Sequence, residues 1–144
     1  MKKLAYLVAG LVLLSACSAA PGGGKGAAGG GNKQSGDTIK IGVNLELSGG
    51  VAAYGNAEKN GIELAAEQIN KDGGILGKKV KLVVKDNKSD NNEAATVAAN
   101  LVTNDKVVAV IGPATSGATK TVIPNMTKAQ VPVISPSATD DSIT

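Results

Sequence analysis

Val107-Val108-Ala109-Val110-Ile111-Gly112-Pro113-Ala114-Thr115-Ser116 joins five apolar residues to a turn of glycine, proline and hydroxyls, and its reading decides the fold. An uninterrupted apolar run of this length is what a strand buried on both faces shows, and such strands belong to parallel sheets covered by helices. Downstream, Val122, Ile123 and Met126 mark the inward side of a helix expected from about Ser116 to Ala129. Pro124 falls inside it and is expected to kink or shorten it. A short strand, Val131 to Ile134, comes next, followed by Ser135-Pro136-Ser137.

Working upstream, the same alternation repeats. Ala94, Val97, Ala98 and Leu101 share one face of a helix ending near Asn104. Asp90 and Glu93 stand three apart at its start, in the manner of a capping box. A strand, Val80 to Lys85, precedes it. Before that, a helix capped by Asn56 is expected to run to Lys71 and stop at Gly73-Gly74, with Ile62, Ala65, Ala66 and Ile69 inward. The first strand is Ile39, Ile41, Val43 and Leu45 alternating with Lys40, Gly42 and Asn44.

Strand alternating with helix four times gives an α/β fold, a doubly wound parallel sheet with helices on both faces. Ligands of such sheets bind at the carboxyl ends of the strands, near the switch point. The segments of interest are therefore 46–55, 86–90, 112–117 and 135–140. Glu46, Ser48 and Tyr54 stand among glycines in the first, and the last two are rich in Ser and Thr. Both of these turns are expected to open helices, whose free N–H groups and roughly half a positive charge attract anions. Hydroxyls and N–H groups without a cationic side chain suit a carboxylate better than a multiply charged phosphate. On spacing alone, Thr115, Ser116 and Thr139 read more readily as ordinary caps and turn residues than as ligand contacts. Asp90 reads as a helix cap and Asp86 as a turn residue.

The composition excludes several function classes. All fifteen basic residues are Lys, and there is no His, so neither a His-based metal site nor a Ser-His-Asp triad is available. No cofactor is expected, and no enzymatic activity. The net charge of +3 includes Lys2 and Lys3. Without them the chain carries about one net positive charge, too little and too scattered for nucleic acid.

Those two lysines open a different signal. Leu4 to Ala16 is an uncharged, mostly apolar run ending in Leu14-Ser15-Ala16-Cys17. It fits a signal peptide and falls short of the ~20 residues that span a bilayer. The ending resembles the bacterial lipobox, which implies cleavage of residues 1–16 and lipidation of Cys17. Residues 17–37, rich in glycine, read as a flexible tether between lipid and folded part. Gly24-Lys25-Gly26-Ala27-Ala28-Gly29 matches a dinucleotide fingerprint by letter, but it follows no strand and opens no helix, so it reads as chance.

From residue 38 onward the order of pieces resembles the leucine/isoleucine/valine-binding branch of the periplasmic-binding-protein superfamily. The carrying residues are Ile39-Lys40-Ile41-Gly42, Leu47-Ser48-Gly49, Ala53-Tyr54-Gly55, Gly61-Ile62-Glu63-Leu64-Ala65 and Gly73-Gly74-Ile75-Leu76-Gly77-Lys78. Val110-Ile111-Gly112-Pro113, Thr115-Ser116 and Val131 through Thr139 complete the set. The resemblance implies the first lobe of a two-lobe Venus-flytrap that closes on a free amino acid, with the second lobe absent from this chain. By position it implies that Ser116 binds the ligand carboxylate through its hydroxyl and the helix N-terminus. It implies that the Ser137 carbonyl receives the ammonium, that Thr139 contacts both groups, and that Tyr54 lies beside the ligand.

The function so implied is an extracytoplasmic lipoprotein, anchored to the bacterial membrane by Cys17, that captures a branched-chain amino acid for an ABC importer. Its partners would be the amino acid, the permease subunits and the membrane. The same fold also serves ligand-sensing domains of receptors and regulators for a small amide or carboxylate; the signal peptide, the lipobox and the lack of a membrane span after residue 17 favour transport. Family members are much longer, with return segments completing the first lobe. The 144 residues alone are therefore expected to bind amino acids weakly or not at all.

Overall fold

Among the described residues four strands, β1 (Ile39–Leu45), β2 (Val80–Asp86), β3 (Ala109–Ile111) and β4 (Val133–Ile134), pair in parallel in the order β2-β1-β3-β4. The structure, a computed structural model, describes residues 38–143. The expectations for the signal peptide, Cys17, the tether and the Gly24–Gly29 match lie outside the described residues. The elements are β1 (Ile39–Leu45), α1 (Ala52–Lys71), β2 (Val80–Asp86), α2 (Asn91–Thr103), β3 (Ala109–Ile111), α3 (Ser116–Ala129) and β4 (Val133–Ile134). A single 3-10 turn, Asp141–Ile143, follows β4.

The chain moves from β1 outward to β2, then crosses back to β3 on the other side of β1. This reversal defines the doubly wound class. It puts α1 on one face and α2 with α3 on the other, since each crossover keeps the same hand. Alternation along β1 sorts its side chains accordingly. Val43 and Leu45 cluster on the α1 face, with Leu82 and Val84 of β2 beside them. Gly42 faces α2, where an added Cβ would meet Leu101 at 3.0 Å. Asn44, fully buried on that face, donates through Nδ2 to the Ala94 carbonyl at 2.9 Å. The α2–α3 face carries the larger core: Ala94, Val97, Ala98 and Leu101 of α2 meet Ala118, Val122 and Met126 of α3, with Val110 beneath them.

Several boundaries differ from the expectation. Asn56 is no N-cap. α1 begins four residues earlier, and the Asn56 amide donates instead to the carbonyls of Leu47 and Ala52, tying the helix to the preceding loop. On α1, Ala66 is buried and Ile62 half-buried, but Ala65 and Ile69 are exposed. They line an apolar groove of about 350 Å³ between α1 and the sheet. β3 is in register with β1 only from Ala109: the Val107 amide is turned to Leu101 O at the end of α2, and the Val108 amide is the first to reach β1, at Lys40 O. β4 is short for the same kind of reason: the Val131 amide donates to Met126 O and closes α3. Pro124 lies exposed within α3, which continues through it to Ala129, and Ile123 is half-buried. Half of the expected capping box forms: Asp90 Oδ1 accepts from the Glu93 amide at 2.8 Å, whereas the Glu93 carboxylate turns to Lys88.

Candidate functional site

The carboxyl ends of β1, β3 and β4 bring three turns together. The first follows β1. Gly55 sits in the first turn of α1, where a Cβ would run into the Glu46 carbonyl, so this glycine lets the helix lie directly on the strand end. That close approach carries Val51 and Tyr54 to the rim of a cleft. Asp86, at the end of β2, holds the same loop from beneath. Its Oδ1 accepts from the amides of Leu47 (3.0 Å), Ser48 (3.1 Å) and Lys88 (2.7 Å), and its Oδ2 from the Ser48 hydroxyl at 2.6 Å. Burial pushes this carboxyl up, but the Ser48 hydroxyl and the three amides outweigh it and hold it below the usual carboxylate range. Asp86 is thus more than the turn residue its sequence position indicates. It fixes the loop that presents Tyr54.

The second turn follows β3. Gly112 adopts φ +96°, a conformation open to glycine, and its Cα lies so close to Asn44 O that a Cβ would collide with it. The chain then reaches α3, whose N-cap is Thr115: the side chain accepts from the Ala118 amide at 3.4 Å. Thr115 is therefore the cap, as one of its two sequence readings holds. The first two helical amides, Ser116 and Gly117, have no acceptor among the described residues. These are orphan donors of the kind a helix start leaves free.

The third turn follows β4. Ser135 Oγ donates to Pro113 O at 2.5 Å and accepts from the Ala138 amide at 3.1 Å, which joins the turns after β3 and β4. Ser137 Oγ lies 2.6 Å from Glu58 Oε1 and 2.9 Å from Ala114 O, and its single hydrogen serves one of them at a time. The Thr139 amide donates to Ser116 Oγ at 3.1 Å, leaving the Ser116 hydroxyl hydrogen free to donate elsewhere. No long helix follows this turn among the described residues. The 3-10 turn after it is started by Asp140, whose Oδ1 accepts from the Ser142 amide. Lys120 pairs with Asp140 at 2.6 Å and holds its carboxyl well below the usual range.

These turns enclose a cleft of about 250 Å³, and Tyr54, Ser116, Ser137 and Thr139 all line it. Four positions scattered over 86 residues of sequence thus share one cavity wall. No lysine lines it. Its donors are amides and hydroxyls, with the start of α3 supplying partial positive charge. Among the described residues, no group of three or more His, Cys, Asp or Glu is placed to hold a metal ion.

A family model described as periplasmic binding protein matches residues 38–144. The chain belongs to the periplasmic binding protein family. Within it, the chain is 41% identical over 106 residues to the Leu/Ile/Val-binding protein BraC3 of Rhizobium johnstonii, covering 74% of this chain and 29% of that protein. Among solved structures it is similar to the branched-chain amino acid transporter substrate-binding protein LivJ of Streptococcus pneumoniae, in complex with isoleucine. The identity there is 60%, the TM-score 0.73, and the coverage 74% of this chain and 31% of that one. A solute-binding protein of an ABC transporter from Rhodopseudomonas palustris BisB5, in complex with 3,4-dihydroxybenzoic acid, shares 32% identity with a TM-score of 0.67, covering 74% of this chain and 29% of that one. The chain therefore spans less than a third of the length of the family members it matches, and its fold is that of one lobe of a periplasmic binding protein.

The segments at the strand ends hold the lining residues and also Glu46 and Ser135, but the bonds made behind the lining are not visible in the sequence. Glu46, Glu58 and Ser135 anchor the three turns to one another, over separations of 68, 79 and 22 residues. Only Glu46 left a signal, as a lone charge between Leu45 and Leu47 at the end of an apolar strand.

Proposed function

We propose that this chain forms one wall of the binding cleft of an extracytoplasmic lipoprotein that captures a free branched-chain amino acid and delivers it to an ABC importer. The observation that carries the proposal is the cleft wall: two free amides at the start of α3, the Ser116 hydroxyl and Thr139 converge there without a cationic side chain. Such a wall fits a singly charged carboxylate, which the Ser116 and Gly117 amides and the Ser116 hydroxyl would receive. The Ser137 carbonyl would accept from the ligand ammonium, and the Tyr54 ring would lie against its aliphatic part. The isoleucine and dihydroxybenzoic acid held by the two similar binding proteins have the carboxylate in common. That supports assigning the carboxylate to this wall and leaving side-chain selection to the rest of the protein.

Lipidation at Cys17, after the Lys2-Lys3 start and the apolar run, would tether the protein to the membrane. Two or more acyl chains hold where one binds only marginally.

Calorimetric titration of the full-length protein with leucine, isoleucine and valine tests this reading. One-to-one binding is expected for at least one of them, and Ser116→Ala should weaken it about tenfold or more, the usual effect of losing a hydrogen bond to a charged group. No heat with any free amino acid, or an unchanged affinity in Ser116→Ala, would refute it.

A further inference from the structure

We infer that Glu46 is a positioning residue of this cleft, one that also sets its preference for ligands carrying an ammonium; the inference rests on the reading just given. Glu46 is 1% exposed, an almost completely buried carboxylate at the end of β1. All three of its partners are donors on the turn that opens α3. Oε2 accepts from the Ala114 amide at 2.9 Å, and Oε1 accepts from the Thr115 amide at 3.2 Å and the Thr115 hydroxyl at 2.8 Å. Because the Thr115 hydroxyl gives its hydrogen to Glu46, its lone pair is turned toward the Ala118 amide. One acid side chain thereby fixes the turn and orients the cap. The donors it consumes are those just before the helix, so the Ser116 and Gly117 amides remain for a ligand.

Two consequences follow from chemistry. First, glutamine cannot replace this glutamate. Its NH₂ would face an N–H or O–H donor, leaving a buried donor unpaired and the turn pushed from its place. Second, the charge of Glu46 stands one hydrogen bond behind Thr115, a residue of the cleft wall. A fixed negative charge there opposes a bare carboxylate and favours a zwitterion, whose ammonium compensates.

The test compares full-length wild type, Glu46→Gln and Val97→Ala by calorimetry, with leucine and with its deaminated analogue 4-methylpentanoate. Val97 is buried in the α2–α3 core away from the cleft, so its truncation lowers the melting temperature without touching the site. The expected result is an unchanged leucine affinity in Val97→Ala and a leucine affinity about tenfold weaker in Glu46→Gln. The preference for leucine over 4-methylpentanoate should also shrink in Glu46→Gln, a change that loss of stability alone would not produce. Wild-type affinity with an unaltered preference in Glu46→Gln would overturn the inference. If wild type binds neither compound, the proposed function itself fails, which is a distinct outcome. Should Glu46→Gln not fold, Thr115→Val decides. It removes the one hydroxyl through which Glu46 orients the cap of α3, the donor to Glu46 and the acceptor from the Ala118 amide alike, and an affinity equal to wild type would overturn the inference.

Discussion

The face of the sheet that carries α2 and α3 is closed, and the face that carries α1 is not. On the closed face, Ala94, Ala98 and Ala118 let the two helices approach each other as well as the strands, and the Asn125 amide donates across to Ala95 O at 3.2 Å. α1 has no such neighbour among the described residues. Val43, Leu45 and Ala114 are fully buried beneath it, but Leu64 is 56% exposed and Ile75 42%. Apolar surface is sealed where two helices share it, because a single helix covers only a strip of a sheet. The cleft draws on both faces: Ser116 starts a helix of the closed face, and Tyr54 lies in the first turn of the helix on the open one.

The largest expected difference between the faces is in the response to truncation. Leu101 is fully buried among α2, α3 and the sheet, where Gly42 lets it approach the strand. Leu101→Ala should lower unfolding free energy by about 2–5 kcal/mol, since the lost contacts leave a cavity that close packing cannot fill. Ile62→Ala, at a half-buried position under α1, should cost well under half of that. Urea denaturation of both variants measures the contrast. Equal losses would mean that the α1 face is sealed as tightly as its counterpart.

The same contrast explains what the sequence made legible. The closed face was read almost residue by residue, because Ala94, Val97, Ala98 and Leu101 repeat at helical spacing and are all buried. On α1, the same spacing marked Ile62, Ala65, Ala66 and Ile69, yet Ala65 and Ile69 remain exposed. Periodicity reports which residues share a side of a helix, and it is silent on how far the covering layer extends. The lining of the cleft was legible through the order of motifs and the rule that ligands meet strand ends. The supports behind it were not, because each joins residues far apart in sequence through side-chain geometry. Glu46 meeting Thr115 is one case, and Asp86 meeting Ser48 is another. Asn56 misled because a residue that can cap a helix can equally tie an inner turn back to a loop.

Asp86 gives a smaller and pH-dependent effect, and it joins the two faces, clasping the loop before α1 to the loop before α2. The Ser89 hydroxyl strengthens this clasp by donating to Ser48 O at 2.6 Å. In the folded chain the Asp86 carboxyl is held below its ordinary range. The folded state therefore takes up this proton at lower pH than the unfolded state does. The stabilisation is complete above the unfolded value of about 3.9 and drains away as pH falls through the folded one. Asp86→Asn should lower the melting temperature at neutral pH and lose less stability than wild type on acidification below about pH 4. Parallel melting curves from pH 7 to pH 2 for the two proteins would show that the clasp contributes nothing in its charged form.

The smallest effect belongs to the outer side of the open face. Leu64 lies on α1 with more than half of its surface in water, so the folded chain gains little by placing it there. Leu64→Gln keeps a residue unbranched at Cβ, of similar helix propensity, and removes only apolar surface that is already wet. In this chain, its unfolding free energy should change by no more than about 0.5 kcal/mol. Chemical denaturation at the same urea slope as wild type checks the point. A loss approaching that of Leu101→Ala would mean that Leu64 is covered, and that α1 has a neighbour as α2 and α3 have each other.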